Sequence, residues 1–281
     1  MPATIRFDPD AANGNFNTGA NWIGGVKPGA ADSFIIDGTP DTPLEMNIDD
    51  GLDQSAVTFA NGILGPNYRG QFGLSTTAPF KGNFSGVMSI VGGAAENYIQ
   101  GTIADLRFNG CGLDKYGELW ALGAIAKATV LRGILWGWSG TWGEAHIVAP
   151  AGSSGAQLKI MDADIATLYG FNGIAGIESD STAGRIRQLI NASANVSILA
   201  GQLDAATIAG GRVAVESLTA ISGAVLVHGG EFALTNVQAQ TVARLEVYPS
   251  GIIRVNQGID NDILTVYANH GGQRIDGALA A

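Results

Sequence analysis

The sequence predicts an all-β protein, specifically a parallel β-helix (a β-solenoid) preceded by an N-terminal β region. Its second half consists of short segments in which apolar residues stand two apart, which places them on one face of a strand. The pairs are Val196 and Ile198, Val213 and Val215, Val225 and Val227, Leu245 and Val247, and Leu264 and Val266. Such pairs recur about every 12 to 20 residues, a repeat typical of stacked solenoid turns.

The composition supports the same fold class. The 281 residues include 41 glycines, with 46% hydrophobic and 14% charged residues. This is too apolar for a disordered chain and too rich in glycine for a helical one. The glycine pairs Gly210–Gly211 and Gly229–Gly230 fit the corners of a solenoid, where the backbone turns sharply or takes a positive φ.

We expect two regions along the chain. Residues 1–100 are richer in Pro and Asp, and we predict a β docking or capping region that covers an exposed edge of the solenoid sheet. Residues 101–281 are predicted to form the parallel β-helix itself. Within Leu113–Ile134, a short helix from about Lys115 to Ala128 competes with a strand, because Ala, Leu and Lys are frequent there although glycines interrupt them.

Charge and cysteine content argue against several classes of partner and structure. The net charge is -10, and only 15 basic residues are spread along the chain, which argues against a nucleic-acid or anionic-membrane partner. The single cysteine, Cys111, excludes an intrachain disulfide framework and is expected to be a small buried residue. The first residues have neither the basic nor the apolar region of a secretory signal, so we expect synthesis in the cytoplasm.

No catalytic or cofactor motif stands out, and we therefore predict a non-enzymatic protein with no cofactor and no bound metal. The sequence has no G-x-S-x-G motif, no P-loop and no cysteine pair for zinc. The histidines His146, His228 and His270 are far apart in sequence and are expected to be structural. Asn47–Asp53 (NIDDGLD) has the composition of a calcium loop without its glutamate, and is predicted to be a turn.

The strongest local feature is the run LWGWSGTWGEAH, which contains Trp136, Trp138 and Trp142. On a strand, Trp136 and Trp138 would face the same side, as in platforms on which sugars stack. Glu144 and Asp162 would then supply a carboxylate pair for glycoside hydrolysis. The alternative is that this aromatic cluster fills a core or an intersubunit contact, where Trp is enriched. We favour packing and keep the glycan site as the alternative.

Asp162 and Asp164 also stand two apart, which would place both carboxylates on the same face of a strand. Paired acids in this arrangement can bind Ca²⁺ or act as acid and nucleophile. A solvated face or a corner is the simpler interpretation, and we adopt it.

The N-terminal run GNFNTGANWIGGVKPGAADSFII carries an asparagine–tryptophan pair, a glycine turn, a proline and a strand start. These are Asn21 and Trp22, Gly24 and Gly25, Pro28, and Asp32. This order resembles the recurrent unit of passenger domains in bacterial autotransporters and related secreted adhesins, and the resemblance implies a β-solenoid. The sequence lacks the signal peptide and the membrane barrel of those proteins, so their export route is not expected here.

A β-helix made without an export signal also resembles the trimeric β-helix virion proteins of tailed bacteriophages. That resemblance implies a homotrimer that is assembled in the host cytoplasm and works in the virion. We expect a capsid decoration or cement protein that contacts the major capsid protein, and we expect Phe7, Phe16, Trp22 and Phe34 to supply that contact. A tailspike-type domain that binds or cleaves polysaccharide is the alternative, and a fragment of a bacterial adhesin is a third possibility.

Overall fold

The structure is a computed structural model that describes residues 2–110, 117–149, 155–216, 220–235, 241–255 and 267–276. Cys111, the start of the segment considered as a helix, and the predicted pair Leu264 and Val266 lie outside these ranges. The chain divides into two compact units, Met1–Gly140 and Thr141–Ala281. The boundary predicted from the sequence lies at residue 100.

The chain is nearly all β, with 1% helix, and its parallel strands stack as a β-solenoid of about nine turns. The predicted fold class is therefore confirmed. One turn of the solenoid is called a rung below. Within the described ranges, the short 3-10 helix Gly19–Asn21 is the one helical element, and no helix is long and apolar enough to cross a membrane.

The strands of the first unit are β1 (Thr4–Arg6), β2 (Ser33–Ile36), β3 (Asp53–Phe59), β4 (Gly62–Leu64), β5 (Phe80–Ile90), β6 (Glu96–Asn109) and β7 (Glu118–Val148). Pairing is parallel between β1 and β2, β2 and β4, β3 and β5, β4 and β5, β5 and β6, and β6 and β7. The residues of β7 from Thr141 onward belong to the second unit.

The second unit repeats the same parallel arrangement. Its strands are β8 (Ala156–Phe171), β9 (Ile174–Ile177), β10 (Arg185–Asn191), β11 (Asn195–Ile198), β12 (Gln202–Ile208), β13 (Arg212–Val215), β14 (Ile221–Leu234), β15 (Val242–Val255), β16 (Tyr267–Asn269) and β17 (Gln273–Asp276). One face follows the order β8, β10, β12, β14, β15, β16, and another follows β9, β11, β13, β14, β15, β17.

The core of the second unit is built from columns of buried residues that run from rung to rung. One column stacks Leu168, Leu189, Ala206, Val225 and Leu245, each in register with the next. All five side chains are at most 1% exposed. Burial of each side chain stabilises the fold by about 25 cal/mol per Å² of apolar surface removed from water. The apolar residues of the alternating pattern are thus the inward-facing residues of each strand.

The short helix expected from about Lys115 to Ala128 is not formed in the part of it that the structure describes. Residues from Glu118 onward belong to β7, where Ala121 pairs with Ile99 and Ala128 pairs with Leu106. Both alanines are fully buried. Packing in the solenoid interior therefore overrides the helical propensity of this segment, which is a weak local preference.

The N-terminal edge of the first rung is covered by a short antiparallel contact. Phe7 bridges to Trp22, Ile23 donates its backbone N–H to the carbonyl oxygen of Arg6 at 2.9 Å, and Asp8 donates to Asn21 at 2.8 Å. An uncovered strand edge invites pairing with another chain. Residues 21–23 therefore cover the backbone edge at the end of β1, from Arg6 to Asp8.

Candidate functional site

The four aromatic residues expected to contact a capsid are buried in the first unit. Phe7, Phe16, Trp22 and Phe34 are at most 1% exposed. Phe16 makes edge-to-face contacts with Trp22 at 4.9 Å and with Phe34 at 5.3 Å between ring centroids. The expectation that these side chains supply a contact surface is corrected, because all four are packed in the interior of the unit.

Two neighbouring apolar residues are exposed instead. Ile23 is 56% exposed and Val26 is 64% exposed, and Gly24 and Gly25 lie between them with positive φ. The turn is held from inside, since the Trp22 indole N–H donates to the carbonyl of Phe16 at 2.9 Å. Burial of Trp22 thus projects Ile23 and Val26 outward, and we call these two residues the N-terminal tip.

Trp136 and Trp138 do share the outward side of β7, as the sequence predicted, with buried Leu135 pointing inward. Trp136 stacks on Trp120 with ring centroids 4.5 Å apart, and Tyr98 stacks on the same Trp120 at 6.0 Å. Trp138 meets Trp120 edge-on at 5.0 Å. These four rings form an aromatic ladder on the first unit.

Hydrogen bonds to two carboxylates fix the aromatic ladder. Trp136 donates its indole N–H to Glu118 at 2.8 Å, and the Tyr98 hydroxyl donates to Glu96 at 2.7 Å. Burial, together with the hydrogen bond to Glu96, raises the pKa of Tyr98 to about 12. Trp120 lies between Tyr98 and Trp136 in this stack, so both of its faces are covered by other rings.

Trp142 belongs to the second unit and differs from the other two tryptophans in the predicted cluster. It is only 2% exposed, so its side chain is part of the interior. The alternation that turns Trp136 and Trp138 outward therefore does not continue to Trp142.

The carboxylates proposed for glycoside hydrolysis are engaged with different neighbours. Glu144 lies 3.0 Å from the Nε2 atom of His146, whose ring stacks on Tyr169. Asp162 accepts hydrogen bonds from the backbone N–H groups of Thr182 and Ala183, each at 2.9 Å. Burial acts to raise the pKa of Asp162, but these donors outweigh it and lower the pKa. An ionised Asp162 is unsuited to act as a general acid near neutral pH.

Asp164 forms an ion pair instead of an acid pair with Asp162. Arg187 donates to its two oxygens through Nε at 2.9 Å and Nη2 at 2.6 Å, and this hydrogen bonding lowers the Asp164 pKa. Between the neighbouring strands β10 and β12, Arg185 donates through Nε and Nη2 to one oxygen of Asp204, at 2.9 and 2.6 Å. The two aspartates of the predicted pair thus serve different structural contacts.

Among the described residues, no group of three or more His, Cys, Asp or Glu side chains is arranged to hold a metal ion. The segment Asn47–Asp53 (NIDDGLD), predicted to be a turn, instead holds two isolated parallel bridges, Ile48 to Phe72 and Asp50 to Asn15, and ends at the start of β3. Asp50 also accepts a hydrogen bond from the Asn15 side-chain amide at 2.7 Å, which ties the segment to its neighbours in the first unit.

Two of the three histidines sit in a second column of stacked rings. Tyr248 lies between His228 and His270, with ring centroids 4.2 and 4.8 Å apart. The Tyr248 hydroxyl and Arg244 both donate to Glu246, at 2.8 and 2.6 Å. The ring contacts run between successive rungs, and the two hydrogen bonds to Glu246 lie within β15, so these histidines have structural contacts.

The structure also reveals two surface depressions that sequence reasoning missed, both in the second unit and both bordered by Asp164. The first has a volume of about 270 Å³ and is lined by Thr141, Trp142, Asp164, Ala166 and Arg187. The second has a volume of about 310 Å³ and is lined by Asp164, Thr182, Ala183, Gly184, Arg185, Gly201 and Gln202. These residues come from several strands, and no local motif connects them.

The sequence matches no protein-family model, and comparisons with curated proteins and with solved structures found no similar chain.

Proposed function

We propose that this chain is a non-enzymatic structural protein of a bacteriophage virion: a trimeric capsid decoration, or cement, protein that stabilises the head. The supporting observation is the solenoid itself, whose columns of buried side chains and parallel strand pairs continue from rung to rung. Close-packed interiors have low compressibility. Each unit is therefore expected to resist deformation, which suits a mechanical role.

The state of the candidate catalytic groups agrees with a structural role. Asp162 and Asp164 are held by hydrogen bonds that lower their pKa values. The outward tryptophans Trp136 and Trp138 pack in the aromatic ladder. A tailspike-type hydrolase would need a carboxyl group with a raised pKa to protonate the leaving group. These residues therefore give less support to the tailspike alternative than to the cement function.

The proposed partner is the major capsid protein, met in the virion after assembly in the host cytoplasm. In this proposal the N-terminal tip, Ile23 and Val26, makes the contact, because these side chains are exposed and apolar. A trimer would present three such tips. Several simultaneous contacts convert modest single affinities into tight attachment.

Mass photometry tests both parts of this proposal. The purified protein is expected at three times the chain mass of 28.8 kDa. Mixed with phage heads stripped of their outer decoration, it is expected to bind at a fixed stoichiometry. A stable trimer that ignores the heads would contradict the cement function, and a monomer would contradict the trimer.

A further inference from the structure

The sequence contains four asparagine–glycine steps, whose side chains have different surroundings. They are Asn13–Gly14, Asn61–Gly62, Asn109–Gly110 and Asn172–Gly173. At such a step the backbone nitrogen of the glycine can attack the side-chain amide carbon of the asparagine, because glycine has no Cβ to hinder the approach. In a folded chain the reaction requires an asparagine side chain that can turn toward that nitrogen.

Three of these asparagine side chains are each held by two hydrogen bonds. These bonds must break before the side chain can turn, which slows the reaction by about tenfold or more. The partners are Asn15 and Asn21 for Asn13, Ser33 and Val87 for Asn61, and Ala149 and Ser193 for Asn172, at distances of 2.8 to 3.4 Å.

Asn109 differs from the other three asparagines. It is the last residue of β6, and its side chain is exposed. Within the described part of the chain, no hydrogen bond holds its side-chain amide. Gly110 follows with a φ of 77°, a conformation that glycine adopts without strain. The Asn109 side chain can therefore turn toward the Gly110 nitrogen without losing a hydrogen bond.

A positive charge lies beside this step. Arg132 on β7 pairs in register with Asn109. A Cβ added to Gly110 would lie 3.4 Å from Cγ and 3.5 Å from Cδ of Arg132, so the arginine stem passes along Gly110 and its guanidinium begins one bond beyond Cδ. The Gly110 nitrogen must lose its proton before it attacks, and a nearby cation stabilises the resulting anion.

We propose that Asn109–Gly110 is a modification site at which Asn109 converts spontaneously to aspartate and isoaspartate. The deprotonated Gly110 nitrogen forms a bond to Cγ of Asn109, the bond from Cγ to Nδ2 breaks, and the amino group takes up a proton and leaves as ammonia. Water then opens the cyclic imide at either of its two carbonyl groups, which gives aspartate or isoaspartate. Arg132 promotes the first step. This site goes beyond the structural function proposed above and does not depend on it.

Peptide mapping by mass spectrometry measures the reaction at each step. The full chain is incubated in mildly alkaline buffer, with and without urea, and then digested with trypsin. Peptide 108–115 contains Asn109 and no other asparagine, and conversion raises its mass by the difference between a hydroxyl and an amino group. In the folded protein we expect Asn109 to convert at least about tenfold faster than the other three asparagines. In urea, where the hydrogen bonds are lost, all four should react at similar rates.

Variants test the residues of this site. Arg132→Gln is expected to slow the conversion of Asn109 about threefold, since the charge is exposed and partly screened. Lys127→Gln, which removes a cation that pairs in register with Asp105, should leave the rate unchanged. Asn109→Gln should abolish the mass change in peptide 108–115, because glutamine would have to form a larger ring.

Two results would overturn the proposal. The first is an Asn109 that converts no faster than the other three asparagines in the folded protein. The second is a converted peptide 108–115 that isoaspartyl methyltransferase does not label, because a cyclic imide opens to isoaspartate as well as aspartate. Equal slowing by Arg132→Gln and Lys127→Gln would overturn the part assigned to Arg132.

Discussion

Trp120 and Trp136 lie face to face, with ring centroids 4.5 Å apart and ring planes 5° from parallel. Both residues belong to β7, so this strand bends round and stacks on itself between them. The ring separation is close to the spacing of about 4.8 Å between neighbouring strands. The two indoles therefore record the rung spacing of the solenoid on its outer surface.

This stack should contribute measurably to stability. Trp136→Leu keeps an apolar side chain but loses the stacking on Trp120 and the hydrogen bond to Glu118. We expect the free energy of unfolding to fall by about 1–2 kcal/mol. Trp138→Leu is the control, because it removes the edge-on contact with Trp120 but leaves the hydrogen bond between Trp136 and Glu118, so its loss should be about half as large. Equal losses in urea denaturation would argue against a contribution from the Glu118 hydrogen bond.

A column of glycines in the first unit should tolerate no side chain. Gly101 lies between Gly82 and Gly123 on successive strands, and a Cβ added to Gly101 would lie 1.8 Å from the carbonyl oxygen of Gly82. Gly101→Ala is expected to lower the free energy of unfolding by about 2–4 kcal/mol, because backbone atoms must move.

Gly29→Ala is the matched control for this substitution. At Gly29 an added Cβ would meet only the Asp32 carboxylate at 3.6 Å, an ordinary contact. Its effect should stay within about 0.5 kcal/mol. Thermal unfolding followed by circular dichroism distinguishes the two, and a Gly101→Ala protein as stable as Gly29→Ala would show that the rungs can separate locally.

The exposed N-terminal tip gives a prediction about the proposed partner. Replacing both Ile23 and Val26 by serine should leave stability nearly unchanged, because both side chains are largely in solvent. Binding to undecorated heads should weaken at least about tenfold, since each tip would lose its apolar contact. Leu74→Ser, which alters another exposed apolar residue of the same unit, should bind normally. Unchanged binding by the double variant would place the contact elsewhere.

The repeat of the fold was predictable because alternation of apolar residues reports directly which side chains face inward. Val225 and Leu245, twenty residues apart in the sequence, do pair on adjacent rungs. The shorter interval between Val213 and Val225 has a different cause: these residues lie on different faces, and the rung neighbour of Val213 is Phe232. The alternation of apolar residues thus shows which side chains face inward. Because the corners vary in length, it does not show which residues pair between rungs.

The sites were harder to predict for the same reason. Trp120 and Trp136 meet only because β7 bends between them. Gly123 and Gly133 take positive φ in that stretch, but glycine is too frequent in this chain for its presence alone to locate a bend. The grouping of Asp164 with Arg187 and Gln202 likewise depends on register between strands. For Phe16 and Trp22, residue type alone did not distinguish a core from a contact surface, since aromatic residues are favoured in both.

Acid should destabilise the protein through carboxylates that the fold keeps ionised. The folded-state pKa is lowered for Asp32, Asp53, Asp162, Asp164, Glu231 and Glu246. For such groups the unfolded chain binds more protons as the pH falls, so their stabilisation is complete above the ordinary pKa values. It is then lost as the pH drops from those values, 3.8 for Asp and 4.5 for Glu, through the lower folded-state values.

Asp162→Asn tests this linkage at one residue. The change removes the charge that accepts hydrogen bonds from Thr182 and Ala183, so stability at pH 7 should fall by about 1–2 kcal/mol. The decline in stability as the pH falls below about 3.8 should also become shallower, because one proton-linked group is gone. Asp180→Asn, at an exposed aspartate two residues before Thr182, should leave both quantities nearly unchanged. Urea unfolding at several pH values measures both, and an equally steep acid decline in Asp162→Asn would mean that Asp162 carries none of the linkage.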